Sequence, residues 1–182
     1  MCPFGAKGHL SHKRIKVGDK IMTECGCGYS QIMQDPQRIA EFVHQKVDNK
    51  IRWYEQNCHR YEGKTWPSWQ DKVLDVFYKG NLSIEVPRDG DMVCKTGHIL
   101  IIDWKSPCHI LESCKQNGDS TVQVCSVLYH VQYQVLLSLI DPGLFFSRDY
   151  SQLRPDADHC REVIIYRPDI EEMLHTSQGQ KT

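Results

Sequence analysis

"DMVCKTGHILIIDWKSP", Asp91 to Pro107, decides how the rest of the chain is read. Ile99 to Ile102 is an unbroken apolar run, Lys95-Thr96-Gly97 is a turn, and the short "DMVC" ahead of it reads as extended. The stretch therefore predicts two antiparallel strands. The second strand ends in Asp103, Trp104 and Lys105, with Pro107 stopping it. Asp103 and Lys105 lie two positions apart and so share one face. A buried strand gains nothing from an acid and an amine on the same face, because an unpaired charge is expensive to desolvate. Either the two form a water-exposed ion pair, worth about 0 to 1 kcal/mol, or they serve a bound group.

The turn folds the strands onto each other and brings Asp91 near Asp103 at one end of a sheet. Asp89 competes with Asp91 for this place, and Asp91 is preferred because "DMV" reads as strand. Two carboxylates beside a lysine suit a hard divalent cation, Mg2+ or Mn2+, with the lysine left to orient a water.

Working outward, Asp35-Pro36 opens a helix whose apolar residues Ile39, Phe42, Val43, Val47, Ile51 and Tyr54 recur at helical spacing, ending near Asn57. "WQDKVLDVFYKG" predicts a short helix closed by Gly80, and Leu82, Ile84 and Val86 alternate as a strand before Asp91. Residues 108–122 are polar and contain Asn117-Gly118-Asp119, a loop signal. "STVQVCSVLYHVQYQVLLSLID" is long enough to be a helix despite its valines, and Asp141-Pro142-Gly143 stops it. "GLFFSRD" and "REVIIYRP" are two further strands, and "DIEEMLHT" is a closing helix capped by Asp169. The order is helix, three strands, helix, two strands, helix.

At 182 residues the chain fits one domain. A net charge of −1, from 22 Lys and Arg against 23 Asp and Glu, supplies no global basic field, so a nucleic-acid partner would be held by a local patch. No apolar run reaches the roughly 18 to 20 residues of a membrane helix, and the N-terminus lacks the hydrophobic centre of a signal peptide. No membrane partner is expected, and the expected location is intracellular. Nine cysteines, an odd number, argue for free thiols or metal ligands over a disulfide framework. In the N-terminal segment Cys2, His9, His12, Cys25 and Cys27 are candidate ligands for structural Zn2+, although their spacings are not those of a standard zinc finger and free thiols remain the alternative.

The spaced acid followed by "IIDWKS" resembles the signature of the PD-(D/E)XK nuclease superfamily, in its RecB-like and lambda-exonuclease (YqaJ)-like branch. Asp91, Asp103 and Lys105 match the three core positions. "IAEFVHQKVDNKI" supplies His44 on a helix ahead of the first acid, and "YHVQYQ" supplies Tyr129, Gln132 and Gln134 on the helix after the lysine, in the order such nucleases carry them. "REVIIYRPDIEEML" resembles their closing strand and helix. The resemblance spans residues 39–174 and implies an α/β fold, a central mixed β-sheet flanked by helices in a restriction-endonuclease-like core.

The chain then divides into a Cys/His-rich segment, 1–34, a nuclease core, 35–176, and a disordered tail, 177–182. The resemblance further implies a metal-dependent nuclease. His44, Asp91, Asp103 and the Trp104 carbonyl would hold one or two Mg2+ or Mn2+ ions. Asp91, Asp103, Lys105 and Gln132 would act in phosphodiester hydrolysis, and Tyr129 and Gln134 would meet substrate. Lys95, Lys115 or Arg148 would touch the nucleic-acid backbone. Exonucleolytic attack on DNA is favoured. The alternatives are a cap-snatching type of RNA endonuclease and a non-catalytic nucleic-acid-binding or adaptor module on a nuclease-like scaffold.

Overall fold

A computed structural model describes residues 28–169. The candidate zinc ligands Cys2, His9, His12, Cys25 and Cys27, most of the closing helix and the tail 177–182 lie outside the described residues. After a single turn, α1 (Ser30–Met33), comes the long helix α2 (Pro36–Asn57). Asp35 caps it as its sequence predicts, accepting from the backbone N–H groups of Gln37 and Arg38 while Pro36 fills the first turn. Ser68 caps α3 (Trp69–Val73), which runs on as π-helical turns over Leu74–Leu82.

These turns correct two expectations. The alternation of Leu82, Ile84 and Val86 does not make a strand, because Ile84 and Val86 pack against the core from the loop that follows. Gly80 does not close the helix either. A side chain there would collide with the Tyr61 hydroxyl at 2.3 Å, so its smallness admits a neighbour.

Strands β1 (Gly90–Lys95) and β2 (Ile99–Trp104) form the expected hairpin. The next stretch is helical where its polarity predicts a loop: α4 (His109–Asn117) buries Ile110, Leu111 and Cys114 and ends at Gly118, whose φ of 69° suits glycine. Asp119 then accepts from the backbone N–H groups of Tyr29 and Ser30, tying this loop to the first described residues. The predicted long helix follows as α5 (Thr121–Gln123), π-helical turns over Val124–Tyr129, and α6 (His130–Ile140). Strands β3 (Leu144–Asp149) and β4 (Cys160–Tyr166) complete a sheet of order β1-β2-β4-β3.

Every pair in this sheet is antiparallel, so among the described residues the sheet is not the mixed one expected. The chain is α/β, a four-stranded antiparallel sheet flanked by helices. Leu100, Ile102 and Trp104 of β2, Leu144 and Phe146 of β3 and Ile164 of β4 face one way, onto Phe77, Tyr78, Leu136 and Leu137. A second cluster joins Tyr29, Phe42, Ile110, Val124, Leu128 and Tyr129. No helix among the described residues is long and apolar enough to cross a membrane.

β3 is an edge strand, and Gln134 covers its end. The Gln134 amide donates to the Leu144 carbonyl at 3.0 Å, and its oxygen accepts from the Phe146 N–H at 2.7 Å. This side chain stands in for a neighbouring strand and is committed to the fold. Gln134→Ala leaves both buried backbone groups without a partner, and unfolding in urea is expected to show a loss of about 1–3 kcal/mol.

Candidate functional site

Alternation along β2 separates core from chemistry. With Leu100, Ile102 and Trp104 turned to the helices, Asp103 faces the opposite side, and Lys105 follows two residues on. Register then sets a row across the sheet: Asp91 is the partner of Asp103, Asp103 of Arg161, and Arg161 of Asp149. Directly opposed like charges destabilise an antiparallel pair, so Asp91 facing Asp103 needs compensation. Lys105 Nζ provides part of it, bonding Asp91 Oδ2 at 2.8 Å.

Local features hold Asp91 in place. A Cβ on Gly90 would lie 2.6 Å from the Asp103 carbonyl oxygen and 2.8 Å from the Trp104 ring, so the close approach of β1 to β2 requires glycine. Between Met92 and Cys94 the register shifts, leaving Val93 as an extra residue. The bulge reverses the alternation beyond it and turns Lys95 to the helical side, where it bonds Asp71 at 2.9 Å. Asp89, the competitor for the first acid, is occupied in its own turn: its carboxylate accepts from the Glu85 N–H and from Arg88. Its carbonyl also accepts from the N–H groups of Lys105 and Ser106, fixing the chain where β2 ends.

Asp103 is 8% exposed yet lies shallowly, under a bidentate fork in which Arg161 Nε and Nη2 each sit 2.8 Å from a carboxylate oxygen. Hydrogen bonding from Arg161 outweighs the opposing effect of burial and holds the Asp103 carboxyl below the usual carboxylate range. His159 Nε2 lies 3.2 Å from Asp103 Oδ2, at ion-pair distance but off the line of a hydrogen bond, and its Nδ1 contacts Asp158. Bonding to Asp91 raises the Lys105 pKa, with Asp158 and Asp103 adding to the effect. Around this end of the sheet stand four carboxylates, Asp91, Asp103, Asp149 and Asp158, against two permanent cations, Lys105 and Arg161. Opposed hard oxygen donors with an excess of negative charge fit a divalent cation of the Mg2+ or Mn2+ kind.

The other expected members are elsewhere. His44 is 79% exposed and pairs with Asp48 one turn along α2 at 3.4 Å, so the helix presents it to solvent and not to the two acids. Among the described residues no three His, Cys, Asp or Glu side chains gather as metal ligands. Gln132 is buried in α6, which packs on the core side of the sheet, opposite Asp103. Tyr129 is buried too: its hydroxyl lies 3.0 Å from that of Tyr29, and burial raises its pKa, so it stabilises the second cluster instead of meeting substrate. Gln134 is engaged by β3. The Trp104 ring lies in the core and donates to Glu162 at 3.1 Å. The three candidate backbone contacts are likewise committed, Lys95 to Asp71, Lys115 to Glu112, and Arg148 to Glu162 in the interior.

Sequence reasoning missed Arg161, His159 and Asp158. Arg161 had a legible signal: in "REVIIY" the valine and second isoleucine share the arginine's face, so whichever face of β4 is open must carry it. His159 and Asp158 sit in a loop with no periodic signal.

The lowered carboxyl pKa sets a pH dependence. Asp103 favours its ionised form more in the folded chain than in the unfolded one, so its contribution is complete above the unfolded pKa of about 4 and disappears as pH falls through the lower folded value. Arg161→Met removes the fork. In an NMR titration followed at the carboxyl carbon, the Asp103 midpoint is expected to move up, to the ordinary carboxylate range or above it. A midpoint that stays low would contradict the fork as its cause.

No family model, no curated protein and no solved structure matches the chain, and its candidate site is therefore defined by its own geometry.

Proposed function

We propose that the chain is a metal-dependent nuclease that hydrolyses phosphodiester bonds at Asp91, Asp103 and Lys105. The observation that carries this reading is the register of β1 on β2, which sets two carboxylates opposite each other on the face turned away from the core, with Lys105 bonded to one of them. A structure built for stability alone would avoid opposed like charges, so their retention argues for a task. Asp91 and Asp103 would hold Mg2+ or Mn2+, the remaining positions falling to water and phosphate oxygens. The cation, when bound, supplies positive charge against the phosphate and acidifies its water. Lys105 is exposed and, with Asp91 engaged elsewhere, is free to turn its ammonium to a phosphate oxygen or to the attacking water. The Arg161 fork keeps Asp103 ionised and aimed outward. DNA is the favoured substrate and exonucleolytic cleavage the favoured mode, on the likeness of these motifs to RecB-like and lambda-type exonucleases.

A second reading rests on the same arginine. Arg161 occupies both oxygens of Asp103, which suits an ion pair that locks β2 to β4 in a non-catalytic nucleic-acid-binding or adaptor module.

Incubation of the full chain with end-labelled duplex DNA, single-stranded DNA and capped RNA separates the readings. With Mn2+ or Mg2+ the DNA is expected to shorten, and EDTA is expected to stop it. Asp103→Asn and Lys105→Ala, verified as folded by circular dichroism, are each expected to slow cleavage by about 100-fold or more. Cleavage of capped RNA alone would move the proposal to an RNA endonuclease. Folded variants that cleave like the parent would end the assignment to this site.

A further inference from the structure

On the core side of the sheet, beneath the turn that follows β2, lies a half-enclosed cavity of about 140 Å3. Its wall includes Trp104, Cys108, His109, Arg148, Arg154 and Cys160. It is distinct from the acid row, which occupies the opposite face. Three donors without acceptors meet it at one side, because α4, nine residues long, begins at Cys108 and no side chain caps it. The first-turn N–H groups of such a helix have no partner within it and carry the positive end of its dipole. Residues 109–111, which bear these groups, all line the cavity.

A second, independent observation points the same way. The Arg148 side chain is 7% exposed, and among the described residues its Nε has no hydrogen-bond partner, although Nη2 contacts Glu162. A buried donor without an acceptor carries its full desolvation penalty, and this one belongs to a residue of the cavity wall. The charge balance favours an anion. Glu162 is already satisfied by Arg148, by the Tyr78 hydroxyl at 3.1 Å and by Trp104 Nε1 at 3.1 Å. Arg154 brings a further guanidinium that bonds only neutral groups, the carbonyls of Lys105 and Ser106 and the Cys160 sulfur.

We infer that this cavity is a binding site for a compact oxyanion of the phosphate class, held by the start of α4 and by Arg148 Nε, with Arg154 supplying the net charge. The volume admits orthophosphate or the phosphoryl end of a small monoester. Neither the nuclease reading nor its failure bears on this site.

Isothermal titration of the full chain with sodium phosphate, and separately with glycerol 3-phosphate, at fixed ionic strength tests it. Saturable one-to-one binding is expected at millimolar concentrations or below; binding of orthophosphate alone identifies the free ion, and binding of the monoester identifies a phosphoryl end group. Cys108→Asp is the decisive variant. Aspartate is a favoured residue at the start of a helix, so the chain is expected to fold, while its carboxylate takes up the free N–H groups and repels the anion. Affinity is expected to fall at least about tenfold, equivalent to about 1.4 kcal/mol. Absence of saturable binding of either ligand to the parent chain, or undiminished binding to folded Cys108→Asp, overturns the inference.

Discussion

Two adjacent residues of opposite charge fix the register on which the sheet depends. Arg161 and Glu162 follow each other in β4 and must point to opposite faces. Glu162 turns inward, where Arg148, Trp104 and Tyr78 meet it; Arg161 turns outward onto Asp103. A slip of one residue would place the arginine among the apolar side chains and strand the glutamate on the other face, breaking both arrangements together. Apolar alternation alone specifies register less sharply here, because Val163 and Ile165 on the open face resemble Ile164 on the buried one. The charges make the choice.

The acid row follows from that choice. Once β4 is set, Arg161 stands beside Asp103, and the hairpin places Asp91 on its other side. The hairpin has its own controls. Gly90 lets β1 come close enough to β2, and the bulge at Val93 ends the alternation after Asp91, so that Lys95 serves α3 instead of joining the row. Lys105 is then the lysine left beside the acids. A one-residue irregularity in an edge strand thus decides which cation accompanies them.

The hairpin, the long α2 and the strands β3 and β4 were legible because their signals are local: a turn, an N-cap, an apolar period. What escaped depends on partners distant in sequence. α4 reads as a polar loop because its buried residues Ile110, Leu111 and Cys114 are few, and only packing against the second cluster makes it a helix. Residues 82–86 alternate like a strand, but π-helical turns before them use up the chain that a strand would need. At the site, the opposition of Asp91 to Asp103 could be read from the turn, whereas the pairing of His44 could not. A histidine on a helix gives no sign of which way the helix will roll, and Asp48 four residues on is the nearest claim on it.

Trp104 explains why the chemistry and the core can share one strand. It occupies the middle of the acid-x-lysine sequence, so alternation sends it inward while both charged neighbours go outward. Its indole N–H bonds Glu162, the same carboxylate that fixes β4, and Gly90 packs against its ring. The position between acid and lysine is therefore held by a polar bond as well as by burial, and through it the inner network sets the orientation of the outer pair. The dependence does not run equally in reverse. Asp91 and Lys105 are exposed, and their bond to each other closes a contact in water that contributes little to folding. Substitution there changes what the face can bind while leaving the core in place, which is the physical condition for separating function from stability in this chain.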